Sequence, residues 1–346
     1  TNIRVNDEGT IDIQYMAQIG DESLLHGPRP KRVVKEKTSA STNDIETLKF
    51  ILANERQTGP SIVNTGFEKL SRLHETRVEI DALASESEID YIRSDDRITD
   101  VIISSSKDAI ESLFYIKKLI KDLKDIPHVN AVRLFSMKFN NEPQAYTRAV
   151  INTLGDLNNL CVVNPLRLEI ETWFTLSDEI TDAHTKLARR LNNKGITVYC
   201  NTALLGGIND SDEHIHSLAN SVRKAGIEFH HLYVAGLPVQ QKWNIDHPVD
   251  SYDVVGIATK VRREGSGREI PRYMISTCLG EVDYGLTSSF VHDNGQLKIK
   301  PGCYDLSYYK GLDENFVLPK GITTDDDGSL VVPIEGLIKT SQFPVS

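Results

Sequence analysis

From about residue 90 to 280, short apolar β-branched runs alternate with segments of helical period, and no other feature constrains the fold as much. Strands are predicted over 100–103, 131–135, 166–170, 196–200, 228–233 and 272–275. Helices are predicted over 108–123, 178–192, 210–225 and 251–263. The first carries Ile110, Leu113, Phe114, Ile116, Leu119, Ile120 and Leu123, a broad core-facing stripe. The second has Ser177 as its expected N-cap, with Asp178 and Glu179 in the first turn. Ile215, Leu218, Ala219 and Val222 turn the third inward. Such alternation predicts an α/β fold with parallel strands covered by helices. About six units in succession predict a partial or full (β/α) barrel. A doubly wound open sheet is the competing shape, but no G-x-G-x-x-G follows the first strand and Gly265-Ser266-Gly267 is too short to count.

The 346 residues are 39% hydrophobic, enough for a sizeable core, and carry a formal net charge of −10. No basic stripe marks a nucleic-acid partner, and no run of about 18 apolar residues marks a membrane span. Lys31, Arg32, Lys35 and Lys37 beside Pro28 and Pro30 read as a solvated loop, as do residues 38–43, and residues 44–55 read as a helix. Asp325-Asp326-Asp327-Gly328 lacks the ligand spacing of a calcium loop and reads as a turn before Leu330-Val331-Val332. Cys161, Cys200, Cys278 and Cys303 are too few and too scattered for a disulfide scaffold or a metal site. An intracellular setting, cytoplasm or organelle matrix, is the expectation. The chain opens on Thr1, so the absence of a signal peptide carries little weight. The division expected is an extension over 1–75, a barrel over 76–286 and a second extension over 287–346.

Particular residues carry a family likeness. They are Ile89-Asp90-Tyr91-Ile92-Arg93, Asp100-Val101-Ile102-Ile103-Ser104, Ile126-Pro127-His128-Val129, Val132-Arg133, Asp178-Glu179-Ile180-Thr181, Leu204-Leu205-Gly206-Gly207-Ile208-Asn209-Asp210, and Ser266-Gly267 followed by Pro271. As an ordered set these resemble the lysine 2,3-aminomutase family over roughly residues 76 to 286. The resemblance implies a barrel of the radical S-adenosylmethionine type. It implies a [4Fe-4S] cluster on a C-x-x-x-C-x-x-C loop, S-adenosylmethionine, and pyridoxal phosphate on a lysine.

The chain departs from that pattern where the chemistry lies. The cluster loop belongs between Arg77-Val78-Glu79-Ile80 and Glu88-Ile89-Asp90-Tyr91, yet only Asp81 through Ser87 fill the interval, with no cysteine. By family spacing it is short by about two dozen residues. The family's Ser-Gly-Gly-Asp at the nucleoside cofactor is replaced by Ser104-Ser105-Ser106-Lys107, which restores bulk and reverses a charge. Asp283 falls where the pyridoxal lysine belongs, and Gly236 and Ser276 where two substrate-binding acids belong. From these residues no cofactor is expected. Ser104, Ser105, Ser106 and Lys107 remain as a degenerate cofactor site able to bind an anion.

Other constellations have plainer readings. His230 and His231, adjacent on a strand, should face opposite ways. His214 and Asp210 share a helix face that suits a solvated first turn. Glu169 and Glu171 share a strand face with Arg167 and fit a structural ion pair. Cys278 has carboxylates nearby that disfavour a thiolate. The leading expectation is a protein that has lost aminomutase activity and serves as a structural or regulatory subunit among other protein subunits. The alternatives are an active radical enzyme of altered chemistry whose cluster loop lies outside this sequence, and a binder of an anionic small molecule at the barrel mouth.

Overall fold

In a computed structural model, the structure describes residues 2–5, 11–14, 44, 46–48, 51–52, 57, 59–159, 166–284, 288–293, 296–302 and 304–336. The basic patch at 31–37, the loop at 38–43, Cys161 and Cys303 lie outside them. A small antiparallel pair, β1 (Asn2–Val5) and β2 (Ile11–Gln14), precedes the main body.

The main sheet has nine strands in chain order: β3 (Leu70–His74), β4 (Arg77–Asp81), β5 (Asp100–Ser104), β6 (Ala131–Phe135), β7 (Arg167–Trp173), β8 (Thr197–Ala203), β9 (Glu228–Ala235), β10 (Arg272–Thr277) and β11 (Gly280–Asp283). From β4 to β10 neighbours pair in parallel. β3 and β11 add antiparallel edges. The two edges meet where Gly280 lies against Ile62 and the Leu73 carbonyl, so the sheet nearly closes into a barrel.

Helices cover the outside: α1 (Glu86–Ser94), α2 (Leu113–Leu123), α3 (Lys138–Asn141), α4 (Arg148–Asn159), α5 (Asp182–Asn192), α6 (Asp212–Ala225), α7 (Pro238–Asp246) and α8 (Ser251–Glu264). Their apolar stripes meet outward-facing strand residues: Ile116, Leu119, Ile120 and Leu123 of α2 join Val101, Ile103, Val132 and Leu134 in one core. A four-stranded sheet follows, with β12 (Ser288–Asp293), β13 (Gln296–Pro301), β14 (Thr323–Thr324) and β15 (Leu330–Pro333) in the order β12-β13-β15-β14. With α9 (Leu306–Leu312) it packs on the barrel through Leu297, Ile299 and Tyr309, whose hydroxyl donates to the Leu279 carbonyl at 3.0 Å.

Two predicted helix starts move inward. α2 begins at Leu113, because Asp108 turns back to accept from Ser136 Oγ and the Lys138 and Ile110 amides. α5 is capped by Thr181 rather than Ser177. The Glu179 carboxylate accepts from the Thr175 and Leu176 amides and holds a 3₁₀ turn ahead of the helix. The turn at 325–328 stands as expected, with the Gly328 amide donating to the Asp325 carbonyl and Lys300 bridging Asp325 and Asp327. No helix among the described residues is long and apolar enough to cross a membrane.

Candidate functional site at the barrel mouth

A cavity of about 400 Å³ opens where the parallel strands end. Asp81, Ser104, Phe135 and Trp173, the last residues of β4, β5, β6 and β7, line it. Such strand ends are where α/β folds place ligands, because the loops beyond them vary without disturbing the sheet. Ser104, Ser105, Ser106 and Lys107 all line this cavity. Ser106 and Lys107 stand exposed at the rim, while Ser105 Oγ lies 2.9 Å from Ser112 Oγ.

Below the rim the lumen is charged. Inward-facing residues alternate along each strand, and here several of those positions hold ionic groups. Arg133 donates through Nη1 to Glu171 at 3.1 Å and through Nη2 to Glu169 at 3.2 Å. Its neighbour Glu169 also pairs with Arg167. The predicted strand-face pair thus becomes a two-strand network centred on Arg133. Arg77 pairs with Glu281 across the seam, and the Tyr233 hydroxyl donates to the other Glu281 oxygen at 2.6 Å. Burial would raise the Glu281 pKa, but Arg77 and Tyr233 outweigh it and hold the carboxyl below its ordinary value. Burial wins at Glu171, whose pKa is raised despite Arg133 and Arg77.

The two histidines do not face opposite ways. Cys200 pairs with Phe229 but Asn201 pairs with His231, so His230 is an extra residue in β9. That bulge stacks the two rings with centroids 3.7 Å apart, His230 against Tyr199 and His231 toward Tyr233. Burial lowers both pKa values; each histidine lowers further beside cationic neighbours, among them Arg77 and Arg133. Sequence reading passes over Arg77, Trp173 and Tyr233. Their signal was a charged or aromatic residue at every second strand position, legible only once the inward face is known. Within the lumen, Arg77 Nε, Trp173 Nε1, His231 Nε2 and Asn201 Oδ1 are buried without a hydrogen-bond partner among the described residues.

The positions that resemble family machinery serve the fold. Between β4 and α1, the Ala84 amide donates to the Asp81 carbonyl, the Leu83 amide to Asp81 Oδ1, and Lys69 Nζ to the Leu83 carbonyl. The Ser85 amide then donates to Glu88 in a helix cap. This closed turn offers no thiolate, and among the described residues no three His, Cys, Asp or Glu side chains stand together as a metal site. The residues here do not fit a cysteine-held cluster. Asp283 is carried by β11 away from the mouth, opposite Met274 of β10, and pairs with Arg272 at 3.1 Å. It does not fit a Schiff-base lysine position either. Gly236 is pressed on Ser276: a Cβ there would sit 1.7 Å from the Ser276 carbonyl oxygen. Cys278 stands at the surface of the β10–β11 turn, and the neighbouring protein takes enough water from its thiol to raise the pKa. His214 bonds Ser211 rather than a metal partner.

No protein-family model matches the chain. It is 26% identical over 190 residues to L-lysine 2,3-aminomutase of Clostridium subterminale, covering 54% of this chain and 42% of that protein. It is 27% identical over 199 residues to glutamate 2,3-aminomutase of Clostridioides difficile, covering 58% and 44%. The chain spans about half the length of the curated relatives it matches. Among solved structures, a xylose isomerase domain protein from Planctomyces limnophilus aligns over 57% of this chain and 80% of its own, at 11% identity and a TM-score of 0.34.

Proposed function

The chain is a distant member of the lysine 2,3-aminomutase family, and from that premise we propose that it keeps the family barrel without the family reaction. On this reading it is a structural or regulatory subunit of a larger assembly. The observation that carries it is the β4–α1 connection. Asp81 to Ser85 form a hydrogen-bonded turn feeding a capped helix, where a radical enzyme needs three thiolates on an open iron.

The test is iron and acid-labile sulfide content after anaerobic reconstitution, together with the native mass of the protein purified from its source. Iron at background and a fixed-stoichiometry complex are expected. Several irons per chain, or amino-group migration on lysine or glutamate, would overturn the reading and favour an active radical enzyme of altered chemistry.

The chamber supports a second, compatible reading: it holds a small amino acid. Its lining carries Arg77, Lys107 and Arg133 against Glu79, Asp81, Asp108, Glu171 and Glu281. That mixed wall suits a zwitterion better than a simple anion, with a carboxylate toward Lys107 and Ser104–Ser106 and an ammonium toward the acids below. Thermal shifts with L-lysine, L-glutamate and inorganic phosphate test it. A shift with an amino acid that Lys107→Ala abolishes is expected; a shift with phosphate alone restores the anion reading.

A further inference from the structure

We infer that the outward face of α2 is a docking surface for a partner protein, and that the partner presents an apolar side chain set among carboxylates. In naming a partner the inference rests on the reading of the chain as a subunit of a larger assembly.

The stripe read from the sequence over 108–123 turns Phe114 inward. In the structure α2 buries Ile116, Leu119, Ile120 and Leu123, and Phe114 lies on the opposite side, 81% exposed. Tyr115 beside it is 51% exposed, and the two rings meet edge to face with centroids 5.3 Å apart. No other Phe, Tyr or Trp side chain among the described residues is exposed. A large apolar group held in water gains only when something covers it.

Charge says what covers it. Lys117, Lys118 and Lys121 follow Phe114 by three, four and seven residues, so they share its face over about 10 Å of helix. All three are exposed, and their side chains make no ion pair or hydrogen bond. The chain as a whole carries a net charge of −10, so this cationic strip with an aromatic centre stands apart from its surroundings. An aromatic anchor with a charged rim is the arrangement by which interfaces gain both affinity and choice of partner.

The strip is too small for an extended anionic surface. Acids return at Glu111, Asp122 and Asp125 on either side of it along the chain. These lie within or near the screening length of about 8 Å and would be driven against the same phosphates. A protein segment that covers only α2 avoids them. Phe114 then enters an apolar contact, and the three ammonium groups meet carboxylates at its edge.

The experiment uses the tagged full chain in its source. It compares wild type, Phe114→Ser, the triple reversal Lys117→Glu/Lys118→Glu/Lys121→Glu, and Ile245→Ser as a control at an exposed apolar residue elsewhere. Each is checked for native far-ultraviolet circular dichroism and read by native mass. Wild type and the control are expected in a complex that dissociates as salt rises; Phe114→Ser and the triple reversal are expected at the monomer mass. The purified proteins are then titrated with a random glutamate–tyrosine copolymer, poly-L-glutamate, phosphatidylserine vesicles and duplex DNA. Wild type should bind the copolymer best, and the triple reversal should bind it about tenfold or more weakly.

A complex that survives in both α2 variants would overturn the docking surface and leave the subunit reading standing. Tighter binding to vesicles or DNA than to the copolymer, or no preference for the copolymer over poly-L-glutamate, would overturn the partner chemistry. Wild type at the monomer mass would defeat the subunit reading; copolymer binding that the α2 variants abolish would then place the failure in the assembly rather than in the surface.

Discussion

Arg77 and Glu281 are 204 residues apart in sequence and form an ion pair across the seam where the first parallel strand faces the last antiparallel one. Their charges close the lumen of a sheet whose edges do not otherwise pair strand to strand. Tyr233 fixes the second Glu281 oxygen, so the carboxylate is held from both sides. Removing one partner strands a buried charge, whereas removing both removes the desolvation cost as well. Glu281→Ala is expected to lower stability by about 3–5 kcal/mol, measured as a fall in the urea midpoint. The double change Arg77→Met/Glu281→Leu should recover much of that loss.

Glu171 is the opposite case. Burial raises its pKa, so the charged form is already disfavoured, and Arg133 keeps Glu169 when Glu171 is neutral. Glu171→Gln is expected to change stability by less than about 1.5 kcal/mol. A urea midpoint that falls as far as that of Glu281→Ala would contradict this account of the lumen.

The stacked histidines set a pH dependence. Burial first, and the cations Arg77, Arg133 and Arg272, lower both pKa values in the folded chain. Below the ordinary histidine value of about 6.5 the unfolded chain takes up protons that the folded chain refuses. Stability therefore falls as pH drops from about 7 toward 5. Glu281, held low, adds a further loss below about 4.5, the ordinary glutamate range. Urea midpoints across this range should decline in wild type and decline less in His231→Asn, where His230 alone of the pair remains. A flat wild-type profile would remove the histidines from the account.

Gly236 sits at φ +92, where its Cα leaves no room for a side chain against the Ser276 carbonyl. Both steric overlap and backbone strain oppose any substitution. Gly236→Asp, which would restore the acidic residue of the family pattern, is expected to cost more than about 4 kcal/mol. Soluble yield and circular dichroism read the outcome; a well-folded variant would show that this strand end can yield.

The family-like signatures prove to be folding devices, and this is why they were legible. Gly206 has no room for a Cβ, which would meet the His247 carbonyl oxygen at 1.8 Å, and Gly207 takes φ +72. Asn209 closes the turn by accepting from the Leu205 amide and donating to the Ala203 and Thr175 carbonyls. Glu179 and Thr181 do the same ahead of α5. Local chemistry of this kind leaves a local pattern. The placement of Leu48, Leu52 and Gln57 leaves none, because it is set by Trp173, Trp243 and Val239, far along the chain.

The sequence by itself determined the strand–helix alternation, the inward stripes of the helices, and that the stretch from Asp81 to Ser87 holds no cysteine and position 283 an aspartate. Each is a matter of period or residue type within a few turns. Which polar residues share the lumen was decided only by the tertiary structure. Register places Arg133 beside Glu169, one extra residue in β9 turns two histidines to one side, and near-closure of the sheet brings Arg77 to Glu281. Those relations depend on how distant strands align in space, and a short-range pattern holds no information about that alignment.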